Sequence, residues 1–215
     1  MTETVVLVHG VWMTGLEMHQ LVRRVRSCGY NTVVFSYRSL LKPLAHNAAR
    51  LADRVRQQDA PTVHLVGHSL GGLVILQALQ DHPDLINGRI VLLGSPVNGS
   101  VIAKRVQRYW FSRWSLGRSG GGALLGGGPR WQGQPPLGVI AGTRPLGIGR
   151  LLGGFDGDND GTVALAETEI AGATAAMTVD TGHFGLLYST DVARAVCTFL
   201  RQGRFAAAEA MPWPL

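Results

Sequence analysis

The 215-residue sequence has few charged residues and no long apolar run. Charged residues make up 16% of the chain and apolar residues 46%, a balance that excludes an intrinsically disordered protein. No apolar run approaches the roughly 20 residues that a transmembrane helix needs, so a transmembrane protein is excluded. The length fits one domain with a full-sized core and no internal repeat is visible, so we expect a single domain over residues 1–215.

Acidic residues are missing between Asp84 and Asp156, and the basic excess of the chain falls in that stretch. The whole chain has 20 Lys and Arg residues against 14 Asp and Glu residues, a formal charge of +6. The sequence contains no helix-turn-helix, zinc-finger or RNA-recognition pattern. We therefore expect a solvated basic surface and no nucleic-acid partner.

Cysteine is scarce. Cys28 and Cys197 are the two cysteines; they lie far apart and lack the spacing of metal ligands. The N-terminus passes directly into an apolar run, without the basic start and cleavage site of a secretory signal. These features predict a cytoplasmic protein in which both thiols are reduced.

Short apolar runs alternate with amphipathic helical patterns along most of the chain. Apolar runs predict buried strands at residues 5–8, 32–35, 63–66, 89–93, 137–141 and 175–179. Helical spacing predicts helices at 16–28, 43–58, 70–79, 101–114 and 191–202. Continuous apolar strands between such helices indicate an α/β fold, with a mostly parallel central sheet and helices on both faces.

The most informative motif is G-H-S-L-G at residues 67–71, between a predicted strand and an apolar helix. A sharp strand-to-helix turn strains the backbone of Ser69, and large side chains two positions away would collide with it. Glycine at both of those positions leaves the hydroxyl projecting above the sheet. Ser69 is therefore the candidate nucleophile, and a serine that merely caps the helix is the alternative.

A serine hydroxyl needs a base to remove its proton. His183 is the best placed of the seven histidines, because it follows the last strand and completes the chain order Ser, acid, His. The third member must be Asp or Glu, to hold the imidazole in the correct tautomer. We choose Asp160 in the loop before the last strand, followed by Asp158 and then Asp156.

The same loop carries a competing pattern. From Asp156 to Glu167 it satisfies the EF-hand spacing D-x-D-x-D-G-x5-E. An EF-hand needs a helix on each side, and residues 147–154 are rich in glycine and form a poor helix. Tight exposed turns also select glycine and aspartate. We expect no metal ion in the site and keep a calcium-binding protein as an alternative.

Acyl transfer also needs donors for the oxyanion that forms during attack. The backbone N–H of Leu70, which follows the nucleophile, is one candidate, and that of Val11 in the turn after the first strand is the other. Neighbours of these groups are the candidates for substrate contact: Trp12, His68 and Phe184.

Together these motifs resemble the α/β-hydrolase superfamily, and within it the small bacterial lipases and esterases. The resemblance is carried by residues 9–10, 67–72, 93–100, 159–163 and 182–187. Residues 93–100 look like the Gly-Thr/Ser-Pro-x-x-Gly-Ser turn of lipases, and residues 159–163 look like their acid loop. The likeness covers nearly the whole chain except about 97–135.

The resemblance implies an α/β-hydrolase fold and a serine hydrolase that cleaves carboxylic esters through an acyl-enzyme intermediate. Ser69, His183 and Asp160 would form the triad, with Val11 and Leu70 at the oxyanion, and no cofactor is required. A small-molecule or lipid ester is the expected substrate. A thioesterase, an amidase, an acyltransferase or a non-catalytic protein of the same fold remain open.

Residues 97–135 interrupt the alternation of strands and helices. The glycines of residues 117–128 predict that this part holds no regular element. Trp110, Phe111, Trp114 and Trp131 cluster with basic residues there. We expect a cap or lid, either offering acyl chains an apolar wall and touching lipid interfaces, or packing as an ordinary cap on the sheet.

Overall fold

The structure is a computed structural model that describes residues 2–107, 117–147, 149 and 154–206. A six-stranded parallel sheet lies at its centre. Its strands are β1 Thr4–Val8, β2 Asn31–Phe35, β3 Val63–His68, β4 Ile90–Leu93, β5 Leu137–Gly142 and β6 Ala175–Val179. Their order is β2-β1-β3-β4-β5-β6, and every neighbouring pair is parallel. The six predicted strands and the parallel α/β arrangement are confirmed.

Helices follow strands β1, β2, β3, β4 and β6. They are α1 His19–Ser27, α2 Leu44–Arg56, α3 Leu70–Asp81, α4 Val101–Gln107, α5 Gly117–Gly122, α6 Gly185–Tyr188 and α7 Thr190–Gln202. The predicted helices at 16–28, 43–58, 70–79 and 191–202 are confirmed within a few residues; that at 101–114 is confirmed over α4, and its remainder lies outside the described residues. In the part of the chain that the structure describes, no helix is long and apolar enough to span a bilayer.

Helices cover the sheet on both faces, and β1 shows why its apolar run is continuous. Val5 and Leu7 belong to the cluster that α1 and α7 complete on one face. Val6 and Val8 belong to the cluster that α2 and α3 complete on the other. Because successive side chains of a strand point to opposite faces, a strand buried on both sides needs apolar residues at every position.

The glycine-rich segment is helical, which corrects the prediction that it holds no regular element. Its residues form α5 and a π-helical turn at Ala123–Gly127. The Ser119 amide donates to the Ser39 carbonyl at 3.2 Å. The Asn47 side chain donates to the Ser119 hydroxyl at 2.8 Å. These contacts with the preceding part of the chain hold a backbone that glycine alone would leave unordered.

The prediction that both thiols are reduced is wrong for this structure, in which Cys28 and Cys197 form a disulfide. Cys28 caps the C-terminus of α1, and Cys197 lies inside α7. Their Cα atoms are 6.3 Å apart although 169 residues separate them in sequence. The sequence spacing hid the pair because α1 and α7 become neighbours only when both pack on the same face of the sheet.

Replacing Cys28 and Cys197 together by alanine is expected to lower the free energy of unfolding by about 5 kcal/mol. A cross-link over a loop of this length removes roughly that much chain entropy from the unfolded state. Urea unfolding of the oxidised protein and of the double variant measures the difference. A reductant should destabilise the wild type and leave the double variant unchanged; equal midpoints for the oxidised and reduced wild type would contradict the prediction.

Candidate functional site

Ser69 lies in the sharp turn between β3 and α3. Its backbone angles are φ 54° and ψ −125°, and Trp12 is the only other non-glycine residue with positive φ in the described ranges. A Cβ added to Gly71 would lie 2.3 Å from the Val8 carbonyl oxygen, and one added to Gly67 would lie 2.7 Å from the Gly72 amide nitrogen. Both glycines are therefore required by the strained turn that presents the serine.

The Ser69 side chain makes no capping hydrogen bond with α3, so the alternative of a simple helix cap is not supported. Its amide donates to the Leu93 carbonyl at 2.9 Å, which fixes the turn against the end of β4. The residue is 8% exposed. The Ser69 hydroxyl, at the carboxyl edge of the sheet, therefore does not stabilise the start of α3.

His183 and Asp160 form a buried pair at the same edge. His183 Nδ1 is 2.6 Å from Asp160 Oδ2, and the His183 amide donates to the Asp160 carbonyl at 2.9 Å. The other carboxylate oxygen, Oδ1, accepts from the amides of Thr162 at 2.9 Å and Val163 at 2.7 Å. The carboxylate is therefore held by the backbone of its own turn while it faces the imidazole.

Asp160, and not the runners-up Asp158 and Asp156, is the carboxylate that meets His183. Both runners-up are exposed in the turn before it. Asp160 packs against the end of β5, because a Cβ added to Gly142 would be 2.8 Å from the Asp160 Cβ. Glycine at 142 thus provides the room that the buried carboxylate needs.

Gly94 brings the pair close to the serine turn. It follows Leu93, whose carbonyl holds the Ser69 amide, and has a φ of 55°. A Cβ added there would lie 3.1 Å from both His183 Nδ1 and Asp160 Oδ2. The ends of β3, β4, β5 and β6 thereby bring Ser69, His183 and Asp160 to one place, as expected where parallel strands share an edge.

The turn after β1 runs beside the serine. A Cβ added to Gly10 would be 3.1 Å from the Ser69 Cβ, so the next peptide, which carries the Val11 amide, lies near the nucleophile. The Leu70 amide belongs to the first turn of α3, where backbone N–H groups have no acceptor within the helix. Both predicted oxyanion donors therefore border the same space.

His9 holds the turn after β1 in place through its hydrogen bonds, a role that the sequence did not indicate. Its Nδ1–H donates to the Gly10 carbonyl at 2.8 Å, and its Nε2 accepts from the Tyr37 amide at 3.2 Å. The Tyr37 hydroxyl donates to the His9 carbonyl at 2.9 Å, and the two rings stack with centroids 4.4 Å apart. The His9 side chain is fully buried, so it shapes the turn and offers no surface to a substrate.

The three candidate substrate contacts differ in exposure. Trp12 is 53% and Phe184 56% exposed, so both are open to a ligand at the carboxyl edge. His68 is fully enclosed, with its ring centroid 4.7 Å from that of His183. The expectation that His68 contacts substrate is corrected, because a buried ring presents no surface to it.

The EF-hand alternative is not formed in this structure. The Glu167 carboxylate accepts from the amides of Val101 and Ala164, and its burial raises its pKa. Asp160 is engaged with His183. Across the described ranges, no three His, Cys, Asp or Glu side chains gather as a metal site would require. Two acidic residues of the pattern, Asp160 and Glu167, thus serve the turns that build the site.

The described parts of the insertion pack over the start of α3. Ala103 of α4, together with Ala123 and Leu124 of the π-helical turn, forms an apolar cluster with Leu70 and Leu73. Trp131 is partly buried against the α2 and α3 side of the core. The predicted cluster of Trp110, Phe111 and Trp114 lies outside the described residues.

Acidification is expected to destabilise the fold well before the carboxylates titrate. Burial lowers the pKa of His9, His64 and His68. Unfolding exposes them to water, where a histidine binds a proton near pH 6.5. The unfolded state then holds more protons, so stability is full above about pH 6.5 and falls below it by up to about 1.4 kcal/mol per histidine per pH unit.

Urea unfolding at about pH 7.5 and about pH 5.5 measures this proton linkage. A His64→Phe variant should show a shallower dependence than the wild type, because it has one buried histidine fewer. Equal unfolding free energies of the wild type at the two pH values would contradict the expectation.

Comparison with known proteins agrees with the fold. The sequence profile of the Alpha/beta hydrolase family matches residues 5–200. Among solved structures, the Bacillus licheniformis lipase BlEst2 superposes with a TM-score of 0.75 at 20% identity, over 93% of this chain and 91% of that one. The metagenomic carboxyl esterase MGS0156 gives a TM-score of 0.68 at 20% identity, over 84% and 64%.

The fold of this chain is also similar to that of a thioesterase domain. The NocB thioesterase domain superposes with a TM-score of 0.58 at 19% identity, over 94% of this chain and 95% of that one. No curated protein sequence matches the chain. At these identities the solved structures establish a shared fold, whereas the profile match spans most of the sequence. The chain is a member of the alpha/beta hydrolase family.

Proposed function

We propose that this hydrolase cleaves carboxylic esters with Ser69 as nucleophile, His183 as general base and then acid, and Asp160 as the residue that orients His183. The observation that carries the proposal is a strained, uncapped serine at the edge where a buried His–Asp pair lies. The solved lipase and esterase with the same fold support ester chemistry.

The tautomer of His183 follows from its partner. The Asp160 carboxylate accepts a hydrogen bond, so Nδ1 carries the proton and Nε2 keeps a lone pair for the Ser69 proton. As Ser69 Oγ bonds to the acyl carbon, that proton moves to Nε2. The alcohol leaves with this proton as the acyl-enzyme forms. A water then gives a proton to Nε2 as its oxygen bonds to the acyl carbon. The bond between the acyl carbon and Ser69 Oγ breaks, Nε2 returns the proton to Oγ, and the acid leaves.

The Val11 and Leu70 amides would stabilise the oxyanion in both tetrahedral intermediates. One such donor contributes about 3 kcal/mol to the transition state in enzymes of this kind. Because both are backbone groups, this part of the proposal depends on the course of the turn after β1. The contacts of His9 with Gly10 and Tyr37 hold that turn before substrate arrives.

Exposed apolar side chains in the segments that follow the strands, here called the rim, favour esters with apolar groups, including lipids at an interface. Within the described residues, the large apolar side chains that are exposed all follow the carboxyl end of a strand. They are Trp12, Leu16, Leu40, Leu41, Val101, Leu146, Phe184 and Tyr188. Exposed apolar side chains that gather into a patch mark binding sites for apolar partners.

Hydrolysis of p-nitrophenyl esters from acetate to palmitate tests the proposed function. Turnover by the wild type that disappears in Ser69→Ala would support it, and the dependence on acyl length would separate an esterase from a lipase. A folded protein that hydrolyses none of these esters would contradict it. Thioester and amide substrates then test the alternatives, of which a thioesterase is favoured by the similarity to the NocB domain.

Replacing Leu16 and Leu41 of the rim by serine is expected to lower the rate on emulsified long-chain esters about tenfold or more. Each leucine loses roughly 1.5–3 kcal/mol of favourable transfer into an apolar phase. Hydrolysis of soluble p-nitrophenyl acetate should be unchanged, because both side chains are largely exposed and neither belongs to the proposed triad or its oxyanion donors. A parallel loss on both substrates would refute the role of the rim.

A further inference from the structure

His68 links the serine turn to the loop that carries His183. It is the last residue of β3 and directly precedes Ser69. Its Nε2 lies 3.1 Å from the His183 carbonyl oxygen. On its other side, a Cβ added to Gly10 would be 3.2 Å from His68 Nδ1. The enclosed ring therefore fills the space between the turn after β1 and the base.

The protonation state of His68 follows from its hydrogen bond. A carbonyl oxygen only accepts, so His68 Nε2 carries the proton and donates to it. Nδ1 is then unprotonated, and it has no hydrogen-bond partner among the described residues. Burial lowers the pKa of His68 well below the ordinary histidine value. The ring is thus a neutral donor with a fixed tautomer.

His183 is restrained at three of its four polar atoms. The amide donates to the Asp160 carbonyl at 2.9 Å, and ring Nδ1 donates to the Asp160 carboxylate at 2.6 Å. The carbonyl accepts from His68. The remaining polar atom is Nε2, the one that must exchange protons with Ser69. Asp160 restrains the amide and the ring, and His68 is the residue that, within the described ranges, restrains the carbonyl of His183.

We propose that His68 is a positioning residue for the reaction, which holds the backbone of His183 through the hydrogen bond from its Nε2–H to the His183 carbonyl. The proposal rests on the proposed function. His68 keeps the peptide after His183 from rotating, and thereby keeps the imidazole at a constant distance from the serine. Sub-ångström control of this kind governs rate when reacting groups must meet in one geometry.

The neutrality of His68 is part of this role. During acylation His183 becomes an imidazolium, and its ring centroid is 4.7 Å from that of His68. A second positive charge at this distance would oppose the protonation of His183. An enclosed neutral histidine donates the hydrogen bond without adding a positive charge. A lysine or arginine in its place would donate the bond but would carry a positive charge.

The test compares His68→Phe, His68→Gln and the control His64→Phe. Phenylalanine fills the space without a donor, whereas the glutamine amide can donate from a position near that of Nε2. His64 is a matched control, because it is buried in the same strand and has two hydrogen bonds, with Glu3 at 3.1 Å and the Arg89 amide at 2.9 Å. Thermal melting of each variant verifies that it folds.

In His68→Phe, kcat for p-nitrophenyl acetate should fall about 10- to 100-fold, which is the loss expected when a buried acceptor loses its donor. KM should stay within about twofold, because a buried ring binds no substrate. His68→Gln should recover most of kcat, and His64→Phe should retain it. An equal fall in His64→Phe, or a glutamine variant as slow as the phenylalanine variant, overturns the proposal.

Proton NMR supplies a readout that does not depend on turnover. The proton between His183 and Asp160 should give a far-downfield signal in the wild type, broadened in His68→Phe and retained in His64→Phe. An unchanged signal in His68→Phe overturns the proposal. If the wild type hydrolyses no ester, the proposed function fails, and the downfield signal alone decides the role of His68.

Discussion

Replacing Ser69 by alanine is expected to lower kcat for ester hydrolysis by a factor on the order of 10^6, because the covalent route disappears with its nucleophile. Initial rates on p-nitrophenyl butyrate measure the effect. Titration with an organophosphorus inhibitor gives the concentration of active sites in the wild type. Residual catalysis by the oxyanion donors and by binding should still exceed the reaction in water by roughly 10^3- to 10^4-fold.

Ser95→Ala is the matched control for this substitution. Ser95 is a buried serine at the end of the neighbouring strand β4, and its Oγ lies against Gly72 of α3. Its removal should leave kcat within about threefold of the wild type, because the Ser95 hydroxyl has no hydrogen-bond partner among the described residues and no part in the proposed mechanism. The organophosphorus inhibitor should add its mass covalently to the wild type and to Ser95→Ala, and it should not label Ser69→Ala. Labelling of Ser69→Ala, or its normal turnover, would show that another group is the nucleophile.

Replacing Asp160 by asparagine is expected to lower kcat about 10^4-fold while the fold persists. The reason lies in the surroundings of the carboxylate. Its Oδ1 accepts from the amides of Thr162 and Val163, so the oxygen of an asparagine must occupy that side. The asparagine NH2 then faces His183 Nδ1 and donates to it. The imidazole proton moves to Nε2, which can no longer accept the proton of Ser69.

Asp158→Asn separates this effect from a change of local charge. Asp158 is exposed two residues earlier in the same turn, and its substitution should leave kcat within about twofold. Rates on p-nitrophenyl butyrate and urea unfolding of both variants complete the comparison. An Asp160→Asn enzyme that keeps more than a tenth of the wild-type kcat would contradict the assignment of the orienting carboxylate.

The parts of the fold that the sequence predicted correctly depend on local patterns. The six strands follow from apolar runs, and the strained turn at Ser69 follows from glycine on both sides of it within a strand-to-helix transition. The choice of Asp160 could be made from chain order and turn composition. For the strands and the turn at Ser69, the determining residues lie within a few positions of one another.

The features that the sequence did not predict depend on residues far apart in the chain. The Cys28–Cys197 disulfide requires two terminal helices to pack together. The helical form of the glycine-rich segment depends on contacts such as that of Ser119 with Ser39. The support of His9 by Tyr37 and the enclosure of His68 arise where loops from different strands meet. Periodicity carries no information on such contacts.

Because the disulfide joins α1 to α7, residues 28–197 form a covalently closed ring. A protease that cuts once within residues 117–127 would divide the chain so that Ser69 lies on one fragment and the His183–Asp160 pair on the other. The fragments would still be a single molecule, each carrying part of one parallel sheet. Under a reductant only non-covalent contacts, such as the pairing of β4 with β5, would hold them together. Until then the nicked hydrolase would keep both halves of its site at a fixed stoichiometry of one to one.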